Sequence, residues 1–148
     1  MPLPILGNFS MDSSSFLEQY KIFILKAKQD FALVHEVMGN NNVAPEIMLF
    51  HIQQGVEKLI KALFSFHSVR FPKIHDLDEL VELAGEHGIG LPPFIEKLTE
   101  LSPYAVEGRY AIMHDDLHDI AEMLTQAENF LAFVQISVGL TEITAIMD

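Results

Sequence analysis

The sequence predicts an all-α protein, built as an antiparallel up-and-down bundle of four to five helices. Two observations predict this class: apolar residues recur at spacings of three and four over long stretches, and no stretch alternates as a strand does. Apolar residues make up 49% of the 148, with only 7 prolines and 8 glycines, so a folded core is expected. We predict one domain over residues 1–148, with 1–11 and 140–148 as terminal segments of weaker pattern.

Two long helices are predicted in the first half of the chain. The first runs from the serines at 13–15 to Gly39 and has the apolar face Phe16, Tyr20, Phe23, Ala27, Phe31, Val34 and Met38. The second begins at Pro45, a residue that suits a first helical position. Its apolar residues are Leu49, Ile52, Val56, Leu59, Ile60, Leu63, Phe64 and Phe66. So wide an apolar face predicts packing against more than one neighbour.

Shorter helices and one long helix are predicted in the second half. After Pro72, the stretch "HDLDELVELAGEHG" predicts a short helix with Leu77, Leu80 or Val81, and Ala84 inward, ending at Gly85 to Gly88. Two further short helices meet at Ser102 and Pro103. The last helix has the most regular pattern, at Leu117, Ile120, Leu124, Ala127, Leu131, Val134 and Val138. Gly139 is predicted to end this helix. The heptad spacing of its apolar residues indicates packing either in the core alone or also against a second protomer.

Charge and cysteine content limit the classes of function. A net charge of −12 argues against non-specific nucleic-acid binding as the main role, because that binding depends on cations that neutralise phosphate. The absence of cysteine excludes disulfides, thiolate metal sites and cysteine nucleophiles. With no signal peptide and no apolar run of about 20 residues, we expect a soluble cytoplasmic protein without membrane contact. Residues 58–75 carry no acid and form either a solvated face and loop or a patch for an anion or partner.

Arg109 and His114 form an R-x4-H spacing at the start of the last helical pattern. In metal-independent RNA cleavage, a histidine can move a proton at the 2′-hydroxyl or the leaving oxygen, and an arginine can hold the scissile phosphate. Spacing alone is a weak signal, because Arg70 and His75 repeat it. In the alternative interpretation, Arg109 pairs with an acidic neighbour and His114 simply precedes the helix.

His114 and His118 are spaced as two metal ligands on one helix face would be. The acids beside them, Asp115 and Asp116, are more simply explained as a cap and first-turn charges of the last helix. We therefore predict no metal site and no cofactor.

A polar group lies on the predicted second helix, away from Val56. It consists of Gln54, Glu57, Lys58 and Lys61. Two interpretations are open: an exposed face with pairs such as Glu57 to Lys61, or a polar cluster that faces a groove of the bundle.

Residues 50–111 resemble the HEPN family, named for higher eukaryotes and prokaryotes nucleotide-binding domains. Its members share a helix of the form H-x-Q-Q-A-x-E-K-x-L-K-A, a loop ending in P-x-x-H-D-L, and a later Y-x-x-x-A-R-Y-P. The matching residues here are His51, Gln53, Gln54, Glu57, Lys58, Lys61, Pro72, His75, Asp76, Leu77, Tyr104, Arg109 and Tyr110. Gly55 replaces the usual alanine, which predicts a close helix approach, and "GRYA" replaces "ARYP".

The resemblance implies an all-α HEPN-like bundle, commonly a homodimer and often encoded beside a small nucleotidyltransferase as a toxin–antitoxin pair. Many members are RNases that use an R-x4-6-H motif near the start of the last long helix, where Arg109 and His114 stand. Tyr110 follows the arginine here, and in this respect the chain resembles the branch of the family for which nucleotide or partner binding was proposed.

We therefore predict the binding or partner component of a nucleotidyltransferase-linked system, with a groove for a nucleotide or RNA. The predicted ligand-binding residues are Gln54, Lys58, Lys61, His75, Tyr104 and Tyr110. One alternative is a metal-independent endoribonuclease toxin with Arg109 and His114 as catalytic residues. Another is a purely structural interaction domain.

Overall fold

The computed structural model describes the backbone of residues 13–105 and 118–147, and the side chains of residues 19–105 and 118–139. These ranges form five α-helices and contain no strand. The helices are α1 Ser13–Val37, α2 Pro45–Phe66, α3 Leu77–Glu86, α4 Ile95–Thr99 and α5 Ile120–Met147, with a 3₁₀ turn at Ser102–Ala105. The predicted all-α class and the helical bundle are therefore confirmed.

Helices α1 and α2 form an antiparallel pair, in which the start of one meets the end of the other. The ring of Tyr20 packs edge-on against Phe66, with 5.0 Å between the ring centroids. Further along α1, Asp30 contacts His51 near the start of α2, with 3.1 Å between Oδ1 and Nδ1. The turn between them contains Gly39, which has a φ of +85°, a value that glycine adopts without steric cost.

The close approach predicted at Gly55 occurs against α1. A Cβ atom added at position 55 would overlap the ring of Phe31 and would lie 2.7 Å from its Cζ. Phe31 is itself buried, with 2% of its surface exposed, so the ring has little freedom to move away. The missing side chain at position 55 therefore makes room for an aromatic ring of α1.

Helix α2 is the centre of the bundle, as its wide apolar face predicted. It has 14 buried residues and packs against α1, α3, α5 and the 3₁₀ turn. Helix α5 contributes Met123, Ala127, Phe130 and Val134 to the same core. A helix covered on several sides must also bury polar positions, and α2 buries Gln53, Glu57, Lys61 and Ser65.

Helix α3 begins where the P-x-x-H-D-L resemblance places it. Asp76 is the N-cap, and its carboxylate accepts the backbone N–H of Asp78 at 2.9 Å. The Asp76 carboxylate also accepts the Ser102 hydroxyl at 3.3 Å, and that hydroxyl accepts the N–H of Leu77 at 2.9 Å. The cap therefore fixes α3 to the 3₁₀ turn. Leu77, Leu80 and Ala84 are buried as predicted.

Replacing Asp76 with alanine should lower the free energy of unfolding by about 1 kcal/mol, because the N-cap acceptor of α3 is lost. Asp76→Asn should retain most of the stability, since asparagine also caps helices well. Urea unfolding followed by circular dichroism measures both changes. Asp78→Ala, at an exposed first-turn acid, is the control and should cost less. Equal losses at both positions would contradict a capping role.

Helix α5 differs from the prediction at both ends. His118 and Asp119 are not helical, and Asp119 instead accepts the backbone N–H of Glu122 at 2.9 Å, as a cap does. The predicted helix through His118 is therefore wrong, whereas Leu117 and the predicted cap at Asp115 and Asp116 lie outside the described residues. The predicted end at Gly139 is also wrong, because the helix continues to Met147. Gly139 does not have a positive φ, and a glycine inside a helix costs only about 1 kcal/mol.

Two smaller observations complete the fold. Met38, predicted on the buried face of α1, lies beyond the end of the helix and is 37% exposed. None of the helices in the described part of the chain is long and apolar enough to cross a membrane.

Candidate functional site

The buried residues Gln53, Glu57 and Lys61 of α2 form a polar cluster with Glu57 at its centre, and the exposed His75 of the loop before α3 contacts it. Lys61 Nζ donates to Glu57 Oε2 at 2.7 Å, and Gln53 Nε2 donates to Glu57 Oε1 at 3.2 Å. His75 Nδ1 lies 3.0 and 3.2 Å from the two carboxylate oxygens. Because an ionised carboxylate only accepts, Nδ1 of His75 must carry a proton. One carboxylate thus joins two turns of α2 to the loop before α3.

The same cluster is reinforced by amide contacts. Gln53 Nε2 also donates to the backbone carbonyl of His75 at 3.1 Å, and Gln54 Nε2 donates to Gln53 Oε1 at 2.7 Å. The ammonium of Lys61 lies 5.7 Å from the centre of the Phe71 ring, which belongs to the same loop. The loop is therefore held to α2 by both polar and aromatic contacts.

Two opposing effects act on the pKa of Glu57. Burial raises the pKa, whereas hydrogen bonds from Lys61, His75 and Gln53, together with the charge of Lys61, lower it. The lowering effects are larger in sum, so the pKa lies below its ordinary value of 4.5. Glu57 is therefore a charged group at neutral pH although it is only 5% exposed.

A second polar group connects α1 to α2 through Asp30. Lys58 Nζ donates to Asp30 Oδ2 at 2.6 Å, and His51 Nδ1 lies 3.1 Å from Oδ1. The Asp30 side chain is 12% exposed. The ammonium group of Lys58 therefore has a carboxylate of its own chain as partner.

A third polar group lies beside the segment 106–117. Tyr104 Oη is 3.0 Å from His118 Nδ1, and His118 Nε2 is 3.2 Å from Glu100 Oε1. A carboxylate only accepts hydrogen bonds, so Nε2 of His118 donates to Glu100, and in that tautomer Nδ1 can accept the hydrogen bond of the Tyr104 hydroxyl. The contact brings the residues on either side of segment 106–117 together.

The structure places the predicted site residues in different groups. Lys61, His75 and Gln54 lie in the Glu57 cluster, Lys58 contacts Asp30, and Tyr104 contacts His118. Three predicted site residues lie outside the described residues: Arg109, Tyr110 and His114.

The exposed-face interpretation of the polar residues on α2 is wrong for Glu57 and Lys61. Both are buried, at 5% and 9% exposure, although the predicted pairing between them is present. Their side of α2 is covered by the loop that contains Phe71 and His75. The burial of Glu57 and Lys61 could not be inferred from helical spacing, because the loop that covers them belongs to a different part of the chain.

Sequence reasoning did not identify Asp30, and it weighed His118 only as a metal ligand. Asp30 flanks the apolar positions Ala27, Phe31 and Val34, but nothing in that spacing indicates a partner on α2. His118 is not helical, and His114 lies outside the described residues. Among the side chains of residues 19–105 and 118–139, no three His, Asp or Glu are grouped to hold a metal ion.

The helical fold agrees with the comparison with known families. The model of the HEPN domain family matches residues 20–137. The chain therefore belongs to the HEPN domain family. No curated protein and no solved structure matches it significantly.

Proposed function

We propose that this HEPN domain chain is the partner component of a two-protein system with a nucleotidyltransferase, of the toxin–antitoxin type, and that it acts as a homodimer. The observation that supports this role is the pairing of the two predicted phosphate-binding lysines. Lys58 lies 2.6 Å from Asp30, and Lys61 lies 2.7 Å from Glu57. These lysines stabilise the bundle, so docking of a protein is favoured over binding of phosphate at the same ammonium groups.

The surface charge supports a basic partner. The chain has 21 acidic and 9 basic residues. Helix α3 presents four exposed acids and no cation, namely Asp78, Glu79, Glu82 and Glu86. A run of exposed carboxylates on one short helix attracts a partner with a complementary basic patch and accelerates association.

The proposal is tested with a purified nucleotidyltransferase encoded beside this chain. Binding should be measured by calorimetry at two salt concentrations, because an electrostatic contact weakens as salt rises. Glu82→Lys should reduce the affinity about tenfold. Glu96→Lys, which reverses an exposed acid of α4, is the matched control and should have little effect. Absence of binding by the wild-type protein would contradict the partner role.

A nucleotide groove belongs to the same proposal, with Gln54, Lys58, Lys61, His75, Tyr104 and Tyr110 as ligand residues. A nucleotide phosphate that reached Lys58 would compete with the Asp30 carboxylate, so the affinity is expected to be modest. Calorimetric titration with ATP and GTP measures it. Asp30→Asn should strengthen binding, because the competing charge is removed. If wild type and Asp30→Asn bind no nucleotide at millimolar concentration, the groove proposal is wrong.

A metal-independent RNase that uses Arg109 and His114 is the second candidate. The contact between Tyr104 and His118 supports it, because the residues that flank segment 106–117 are held together. Incubation with total RNA and a chelator should produce cleavage that Arg109→Ala and His114→Ala both abolish. Arg70→Ala is the control, since Arg70 belongs to the other R-x4-H spacing. If the folded wild-type protein does not cleave, this candidate fails.

A further inference from the structure

The loop between α2 and α3 carries exposed cations that the proposed function leaves without a role. Arg70 and Lys73 are both exposed, and neither has a described acid within ion-pair distance. Lys58 and Lys61, by contrast, are each held by a carboxylate of their own chain. The acid-free stretch noted in the sequence therefore divides into a paired half on α2 and an available half in the loop at 67–76.

Contacts along its length hold this loop in place. At its start, the N–H of Val69 donates to the carbonyl of Phe64 at 2.8 Å. In its middle, the ring centroid of Phe71 lies 5.5 Å from that of Phe64 and 6.2 Å from that of Phe23 on α1. At its end, His75 contacts the buried polar cluster of α2. A loop held at its start, middle and end loses little conformational freedom when a partner binds its exposed cations.

The acids around the loop favour a protein as its partner over a nucleic acid. Asp76 ends the loop, and α3 follows directly with its exposed acids. Glu18 and Glu142 belong to the neighbouring start of α1 and end of α5. A phosphate backbone carries one sign of charge only, so these carboxylates would repel it. A protein surface can place acids opposite the loop and bases opposite α3.

The basic loop and the acidic helix adjoin each other. Asp78 follows Lys73 so closely in the chain that their Cα atoms are at most about 19 Å apart. A standard interface of about 800 Å² on each partner is roughly 30 Å across and can cover both. The carboxylate of Asp76, which caps α3, also accepts the Ser102 hydroxyl, and this contact fixes the start of the helix at the end of the loop. The two charges therefore form one surface of mixed polarity.

We propose that the partner contact on α3 extends onto this loop, and that the partner presents an acidic patch to Arg70 and Lys73 next to its basic patch for α3. The two signs fix the orientation of the complex, because a partner turned end for end would place like charges opposite each other in both halves. The inference rests on the partner role proposed above, and it adds the second half of the surface and the charge that the partner must carry there.

The first test measures binding of the purified nucleotidyltransferase by calorimetry. Reversing both loop cations, in Arg70→Glu with Lys73→Glu, should lower the affinity about 10- to 100-fold, because like charges then face each other. The matched control is Lys21→Glu with Lys28→Glu, which changes the net charge equally at two exposed lysines of α1. These lysines lie on the side of α1 away from Phe23, so the affinity should change by less than about twofold. All four positions are exposed, so folding is preserved.

The second test is zero-length cross-linking with a carbodiimide, which joins an amine to a carboxylate in direct contact. Lys73 should be linked to an acid of the nucleotidyltransferase, and an α3 carboxylate such as Glu82 should be linked to one of its lysines. Peptide mass spectrometry identifies both links. Lys73→Arg is the control, because its guanidinium retains the charge and the affinity but does not form the link.

The outcomes separate this inference from the proposed function. Absence of a complex with the wild-type chain would overturn both. A complex that Glu82→Lys weakens but the loop reversal leaves intact, without a link at Lys73, would overturn the loop contact alone. Binding of a single-stranded RNA by the wild-type chain that the loop reversal abolishes would overturn the choice of a protein partner.

Discussion

Replacing Glu57 with methionine is expected to lower the free energy of unfolding by about 3 kcal/mol. The substitution leaves the ammonium of Lys61, whose side chain is 11% exposed, without its carboxylate partner. It also removes the acceptor for His75 and Gln53, which join α2 to the loop before α3. Removing one member of a buried ion pair costs more than the pair contributes, because the remaining charge stays desolvated.

The double variant Glu57→Met with Lys61→Met should recover most of that loss. With both charges removed, no unpaired ion is left, and two similar apolar side chains fill the space. Urea unfolding at pH 7 measures the three proteins, with Glu79→Met as a control because Glu79 is an exposed acid of α3. The prediction would be wrong if the double variant were less stable than Glu57→Met.

The stabilising effect of Glu57 should also depend on pH. Its pKa in the folded protein lies below the ordinary value of 4.5, so the folded state favours the charged form. The contribution of Glu57 is therefore fully present above that ordinary value and is lost as the pH falls through the lowered pKa. The difference in unfolding free energy between wild type and Glu57→Gln should shrink as the pH falls below about 5. A difference that grew toward low pH would contradict this sign.

Gly55→Ala should destabilise the protein by up to about 2 kcal/mol, although alanine favours helices more than glycine does. The gain in helix propensity is about 1 kcal/mol, whereas overpacking of a core contact costs about 1 to 3 kcal/mol. The overlap with the Phe31 ring lies in the buried contact between α1 and α2, where neither helix can move freely. Thermal unfolding followed by circular dichroism measures the loss.

Two companion variants make this prediction specific. Phe31→Leu removes the ring that the new methyl group meets, so Gly55→Ala should cost less in that background. Gly85→Ala is the control, because position 85 lies within α3 and an added Cβ meets no atom within 4 Å. It should stabilise the protein by up to about 1 kcal/mol. Equal losses from Gly55→Ala with and without Phe31 would show that the ring is not the cause.

Much of the fold could be predicted because helical periodicity depends on local spacing. Ile52, Val56 and Leu59 recur at helical spacing and are all fully buried, as a core-facing stripe requires. The end of α5 was not predictable in this way. Gly39 and Gly139 are the same residue type, but Gly39 has a positive φ at a turn and Gly139 lies inside a helix.

The polar residues were identified more reliably than their partners. The resemblance to the family pointed to Lys58, Lys61 and His75, and each lies in a polar group of the structure. The pairing of Lys61 with Glu57 was predicted from helical spacing. The contact of Lys58 with Asp30 and that of His75 with Glu57 were not predicted, because Asp30 belongs to another helix and His75 to a loop. Those contacts decide whether a lysine is available for phosphate.

By itself, the sequence determined the helical class, the central place of α2 and the family of the chain. These properties depend on residue types and on their spacing along the chain, and both can be read directly from the sequence. Only the tertiary structure decided that Glu57 is a buried hub, that Lys58 is paired across two helices, and that α1 leaves Leu25 and Leu33 exposed. Burial and ion pairing depend on which segments approach each other in space, and that approach is a property of the whole packed bundle.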